Sequence, residues 1–125
     1  IYSLSDHIER LTTDQTYVQR EIMNGNMTQE QAMKDPRRNV LLQCVGASAE
    51  VKPEYGTGAM KNGMSLLLCS DGFRHEVSEQ EIYEMLKPAA AVDGQNMHDR
   101  LEQLIRLSMQ RGERDNITAA LIKAQ

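Results

Sequence analysis

Met64-Ser65-Leu66-Leu67-Leu68-Cys69-Ser70-Asp71-Gly72 is the stretch on which the chain turns. A short, nearly unbroken apolar run is a fully buried strand or a piece of buried helix, and periodicity alone does not separate them. Its length and the Asp-Gly pair that ends it favour a strand. That strand carries Asp71 out of the core to the end of a sheet, and Gly72 lets the backbone turn sharply behind it. A lone acid delivered in this way is a turn former or a ligand.

Composition narrows the field around that stretch. A chain of 125 residues holds one domain at most, with a single core. Apolar residues make up 40% and charged residues 26%, as in an ordinary soluble globular chain. The net charge is −4 with the signs interleaved, which argues against a nucleic-acid binder, because neutralising phosphates needs a basic face. The longest apolar run is too short to span a bilayer, and no charged-then-apolar leader opens the chain, so no membrane role and no secretion are expected. Cys44 and Cys69 both lie in apolar, strand-like runs and are expected to be buried thiols in a reducing cytoplasm rather than a disulfide. Residue 1 is Ile, and Ile1-Tyr2-Ser3-Leu4 already reads as a strand in progress, so the chain is expected to be cut from something longer.

Ile1–Leu4 and Ile8–Leu11 flank Ser5-Asp6-His7 and predict a hairpin. Tyr17, Val18, Ile22 and Met23 have helical spacing, with Gly25 placed to end the helix. Thr28 and Gln31 form a capping-box pattern for a second short helix to about Lys34, limited by Pro36. Val40–Val45 reads as another buried strand, and Val51–Tyr55 as an edge strand in a loop. Asn62-Gly63 is a turn signal that suggests a hairpin into Met64–Cys69. Ser78 to Glu81 opens a helix with Ile82, Met85 and Leu86 inward, ended by Lys87-Pro88. Asn96 is expected to cap a longer helix with Met97, Leu101, Leu104, Ile105 and Ser108 on one face, stopped by Gly112. Ile117–Ile122 is the final strand. Strands and helices come in clumps, which predicts an α+β fold of antiparallel sheet with flanking helices.

Asp71 follows one buried strand and Asp115 precedes another. If those strands are antiparallel neighbours, the two carboxylates meet at one end of the sheet. Paired carboxylates suit a hard divalent cation, and magnesium takes one or two acids and fills its octahedron with water. Asp-Gly and Asp-Asn are also common turn formers that bond their own backbone, and spacing alone leaves that reading ahead. His7, His75 and His98 read as solvated side chains, and no His/Cys group has zinc spacing. Ser70 has no histidine positioned by sequence to activate it. Lys34, Arg37 and Arg38 form a local positive patch. Its arginines suit either a bound phosphate or the carbonyl end of the preceding helix, the latter favoured.

The order Leu11-Thr12-x-Asp14, Pro36-x-Arg38-Asn39, Val45-Gly46, Leu67-Leu68-Cys69-Ser70-Asp71-Gly72 and Gly112-x-x-Asp115-Asn116-Ile117-Thr118 resembles the bacterial metal-dependent serine/threonine protein phosphatases, the PPM or protein phosphatase 2C family. Ser-Asp-Gly alone is a weak motif, but with Asp-Asn-Ile-Thr at the far end of the chain it is specific. The resemblance spans essentially residues 1–125 and identifies them as a single partial domain, the C-terminal portion of a phosphatase catalytic domain truncated at its N-terminus.

That resemblance implies part of an αββα sandwich and a signalling hydrolase acting on phosphoserine and phosphothreonine through metal-activated water. It makes Asp71 and Asp115 ligands of one metal in a binuclear manganese or magnesium centre. It makes residues 16–39 a flap-like helical insert, so that Lys34, Arg37 and Arg38 gain a second meaning as groups that influence substrate choice. A phosphorylated protein substrate, a partner serine/threonine kinase and a cytoplasmic location follow from it. The family's upstream phosphate-binding arginine and metal-bridging aspartate have no counterpart in these residues, and Gln15 stands where bacterial members usually carry histidine. The fragment is therefore expected to be inactive alone, with its metal weakly held or absent, and to self-associate through uncovered apolar sheet. The alternative is a non-catalytic, degenerate phosphatase-like domain used as a binding or regulatory module.

Overall fold

The structure, a computed structural model, describes residues 1–124. In chain order the elements are β1 (Tyr2–Leu4), β2 (Ile8–Arg10), α1 (Tyr17–Met23), α2 (Gln29–Lys34), β3 (Ser65–Cys69), a 3-10 turn (Asp71–Phe73), α3 (Glu79–Leu86), α4 (Gly94–Gln110) and β4 (Ala119–Lys123). They fall into two compact units, one made of Ile1–Leu11 and the chain from Gly58 on, the other of Thr12–Thr57. The fold class is α+β, as the clumped pattern predicts.

The first unit is built on a four-stranded sheet in the order β2-β1-β3-β4, antiparallel throughout. Pairing Tyr2 with Leu67, and Leu67 with Leu121, puts all three side chains on one face, because alternate residues of a strand share a face. The same register places Leu4, Ser65, Cys69 and Ala119 there too. Helices α3 and α4 cover this face. Tyr2, Leu4, Leu67, Phe73, Val77, Ile82, Leu86 and Leu104 form one buried cluster, and Met85, Leu101 and Ile105 pack against it. Burial pushes the Tyr2 phenol up to about 12. Lys123 fits this apolar face by turning its Nζ to the carbonyls of Pro88 and Ala91, at 3.0 and 2.8 Å. The opposite face carries Leu66, Leu68, Ala120 and Ile122, of which Leu68 and Ile122 are 38% and 49% exposed.

The helix ends explain the helix lengths. Ser78 and Glu81 close a reciprocal capping box at the start of α3, and Glu81 also grips Arg111 just past α4, at 2.6 and 3.0 Å. Helix α4 starts earlier than the sequence suggests. Asp93 is its N-cap and accepts from the backbone of Asn96, which lies inside the helix. Gly112 follows its C-cap with φ +106°, a conformation that side-chain-bearing residues resist. Gly63 has φ +81°, so Asn62-Gly63 does form a turn, but no hairpin results: β3 pairs with β1 and β4 instead.

In the Thr12–Thr57 unit, Thr16 caps α1 and a Thr28–Gln31 capping box opens α2, matching the predicted pair of short helices. The predicted strand Val40–Val45 does not form. One isolated bridge, Thr16 to Leu41, is all the pairing it receives, and Val40, Leu41, Leu42 and Val45 are exposed. An apolar run becomes a strand only where a second strand presents a ladder, and here the chain meets the turn that starts a helix. Cys44 is exposed as a consequence, not buried, while Cys69 is half-buried; both are free thiols. Residues 51–55 are likewise irregular and exposed, not an edge strand.

Candidate metal centre

The β3–β4 ladder runs on past its last strand pair, Cys69 with Ala119. The Ser70 amide donates to Thr118 O at 2.9 Å, the Thr118 amide donates to Ser70 Oγ at 3.1 Å, and Ser70 Oγ donates to Asn116 O at 3.1 Å. Ser70 is therefore a stitch between two distant segments of the chain. It brings the start of the Asp71–Phe73 turn against the Asp115-Asn116 backbone. A Cβ placed on Gly72 would lie 2.9 Å from Asn116 O and 3.3 Å from Asp115 Cβ, so only glycine permits this approach. The turn is fixed from below by buried Phe73 and by Ser108 of α4, whose Oγ donates to Gly72 O at 3.2 Å. That bond accounts for a serine on the buried face of α4.

Asp71 and Asp115, which spacing alone could not join, thus share one end of the sheet. Both side chains are open to solvent. Asp71 Oδ1 accepts from the Gly72 amide at 3.0 Å, and Asp115 Oδ1 accepts from the Asn116 amide at 2.7 Å. Each acid therefore accepts from the amide that follows it with one oxygen, which leaves the other without a hydrogen bond to that turn. Turn former and ligand are compatible roles here.

Two residues that the sequence reading left out stand beside them. His75, read from sequence as a solvated loop residue, has its Nδ1 3.1 Å from Glu113 Oε2 and its Nε2 3.9 Å from Asp71 Oδ2. Glu113 Oε1 accepts from the amides of Arg114 and Asp115, at 2.7 and 2.8 Å. These bonds, that from the Asp115 amide first, hold the Glu113 carboxyl below the usual carboxylate range. The signal for His75 was present in its spacing from Asp71, one helical turn on, once the Asp71 turn is known to be helical.

Among the described residues, no three His, Cys, Asp or Glu side chains converge as a metal-binding group. The donor set is two outward carboxylates held together by a glycine contact. It fits a hard, oxygen-seeking cation that keeps several waters, and it offers nothing to a thiophilic metal. An open groove lies elsewhere, between α3 and α4 over Met85, Leu104 and Leu107, and neither aspartate lines it.

The predicted basic patch lies in the other unit and is largely spent on local partners. Lys34 Nζ is 2.8 Å from Glu30, Arg37 forks onto Asp35 and lies over the Tyr17 ring at 4.3 Å, and Arg38 donates to Met33 O at 3.2 Å. Arg38 thus answers a carbonyl in the last turn of α2, as the plainer reading expects. His7 and His98 are exposed, also as expected.

No family model matches the chain. Protein phosphatase PhpP of Streptococcus pneumoniae is 32% identical over 117 residues, covering 94% of this chain and 46% of that protein. The solved serine/threonine phosphatase of Streptococcus agalactiae superposes with a TM-score of 0.88 at 27% identity, over 99% of this chain and 50% of the other. The catalytic domain of the phosphatase PstP, solved with two manganese ions, gives a TM-score of 0.76 at 28% identity, over 96% of this chain and 46% of the other. The fold is that of a bacterial serine/threonine phosphatase domain. By sequence and by fold the chain belongs with the bacterial protein phosphatase 2C-type serine/threonine phosphatases, and it spans about half the length of the curated relatives it matches. Among the described residues no helix is long and apolar enough to cross a membrane.

Proposed function

We propose that this chain is the part of a serine/threonine protein phosphatase that supplies two metal-holding aspartates, Asp71 and Asp115. The observation that carries the reading is the contact of Gly72 with the Asp115-Asn116 backbone, which holds both acids at one sheet end. Manganese or magnesium bound there would acidify a water for attack on a phosphoryl group, most effectively as one of two metals. Asp71 and Asp115 would hold that cation: the Ser70 bonds set the distance between the two backbones, and the bonds from the Gly72 and Asn116 amides fix one oxygen of each acid.

The substrate class is phosphoserine and phosphothreonine in proteins, with a partner kinase supplying the phosphate, in the cytoplasm. Residues 16–39 act as a flap that influences substrate choice. With so many of its charges paired locally, Arg37 and Arg38 contribute there by shape more than by net charge. The remaining metal and phosphate ligands come from sequence outside these residues, so the chain alone has little activity.

The test is turnover of an aryl phosphate with Mn2+. The chain extended upstream to the length of its relatives is expected to turn over, and D115A to abolish that activity. An inactive extended protein, or a D115A variant as active as its parent, overturns the reading.

A further inference from the structure

We propose that Glu113 and His75 form a clamp that sets the geometry between the two metal-holding carboxylates, acting on the metal without ligating it. The inference rests on the metal-centre reading above.

Glu113 is placed to position and not to bind. Its side chain is only 9% exposed, Oε1 is taken by the Arg114 and Asp115 amides, and Oε2 faces His75. A carboxylate accepts and cannot donate, so His75 Nδ1 carries the proton in this contact. Charge-assisted bonds of this kind are short and strong, and here two of them terminate on the backbone that presents Asp115. Losing the carboxylate frees the Asp115 amide, and with it the direction of the Asp115 side chain.

His75 ties the same brace to the other acid. Its amide donates to Asp71 O at 3.1 Å, so the ring is anchored on the turn that carries Asp71 while Nδ1 reaches Glu113. The 3.9 Å between Nε2 and Asp71 Oδ2 is too long for a hydrogen bond, so His75 does not take up that oxygen, which would remain available to a cation. Residues that orient metal ligands in this way commonly change metal affinity about 10–100-fold when removed.

The experiment is a Mn2+ titration of the chain extended upstream to the length of its relatives, with free Mn2+ read by electron paramagnetic resonance and the fold checked by circular dichroism. E113A is expected to weaken binding about tenfold or more, and H75A to weaken it in the same direction. E113Q keeps a carbonyl for the two backbone amides but turns an NH2 donor toward the ring, which must then accept at Nδ1 as its other tautomer, so it is expected to lie between the parent and E113A. The H75A/E113A double variant is expected to bind no more weakly than E113A, because one clamp is broken twice. If E113A does not fold, E113Q and H75A carry the comparison. Parent-like affinity in E113A or H75A, with D115A binding lost, overturns the clamp alone. Parent-like affinity in D71A and D115A overturns the metal centre and the clamp with it.

Discussion

The end of the β3–β4 ladder and the Thr12–Thr57 unit handle polar groups in opposite ways. At the ladder end, Ser70, Gly72 and His75 are joined to Glu113, Asn116 and Thr118 from more than thirty residues further along the chain. In the Thr12–Thr57 unit, Lys34, Arg37 and Arg38 bond within five residues of themselves, apart from the reach of Arg37 to Tyr17. The first pattern fixes exposed carboxylates in space because two strands and a buried aromatic hold their backbones. The second satisfies these three cations on nearby partners, without tying them to a distant backbone. The proposed metal centre would need the first kind of support, and the proposed flap would tolerate the second.

Substitutions can break that contrast. Leu67 is fully buried in β3 under the helices, and L67A is expected to cost about 2–5 kcal/mol in urea unfolding. The matching change in the other unit, L42A at a 42% exposed site, is expected to stay within about 0.5 kcal/mol. Equal losses would mean that the two regions do not differ in packing. Next in size is G72A, where the new Cβ meets Asn116 O at 2.9 Å; about 1–3 kcal/mol is expected, together with loss of Mn2+ binding. G56A, with open space around it, is expected to change neither.

Smaller again is an acid effect. Arg111, and then the Ser78 backbone and hydroxyl, hold Glu81 down to about 2, below its unfolded range. Its contribution is therefore present above about pH 4.5 and is lost as pH falls toward about 2. E81Q is expected to flatten the acid limb of the thermal midpoint against pH, and an unchanged limb would remove Glu81 from the account. The outward sheet face adds an effect on assembly. With Leu68 and Ile122 exposed on it, a second copy of the chain is expected to cover it, giving a dimer by light scattering at micromolar concentration. L68K is expected to return the chain to monomer, and a monomeric parent would count against the pairing.

The same contrast shows what was legible in the sequence. Elements with their own local evidence were read correctly: the capping boxes at Thr28 and Ser78, the apolar face of α4, and the strand that ends in Asp71. Val40–Val45 was misread because apolar content says nothing about whether a partner strand is present, and with one bridge it stays exposed. The start of α4 moved because both Asp93 and Asn96 are good caps, and the outer one won. At the site, Asp71 and Asp115 were legible as a pair by their matching positions at strand ends. Glu113 and His75 were not, since their contact joins residues 38 apart and depends on a turn whose shape the residue types do not announce.

The central claim is that Asp71 and Asp115 hold one cation between them. Mn2+ added in small steps to the isotope-labelled chain, followed by amide NMR, tests it most directly. The account predicts that the Asp71-Gly72 and Asp115-Asn116 amides broaden together at the lowest Mn2+, and that D71A or D115A alone abolishes both effects. Broadening at only one of the two segments, or first at some other part of the chain, would contradict it.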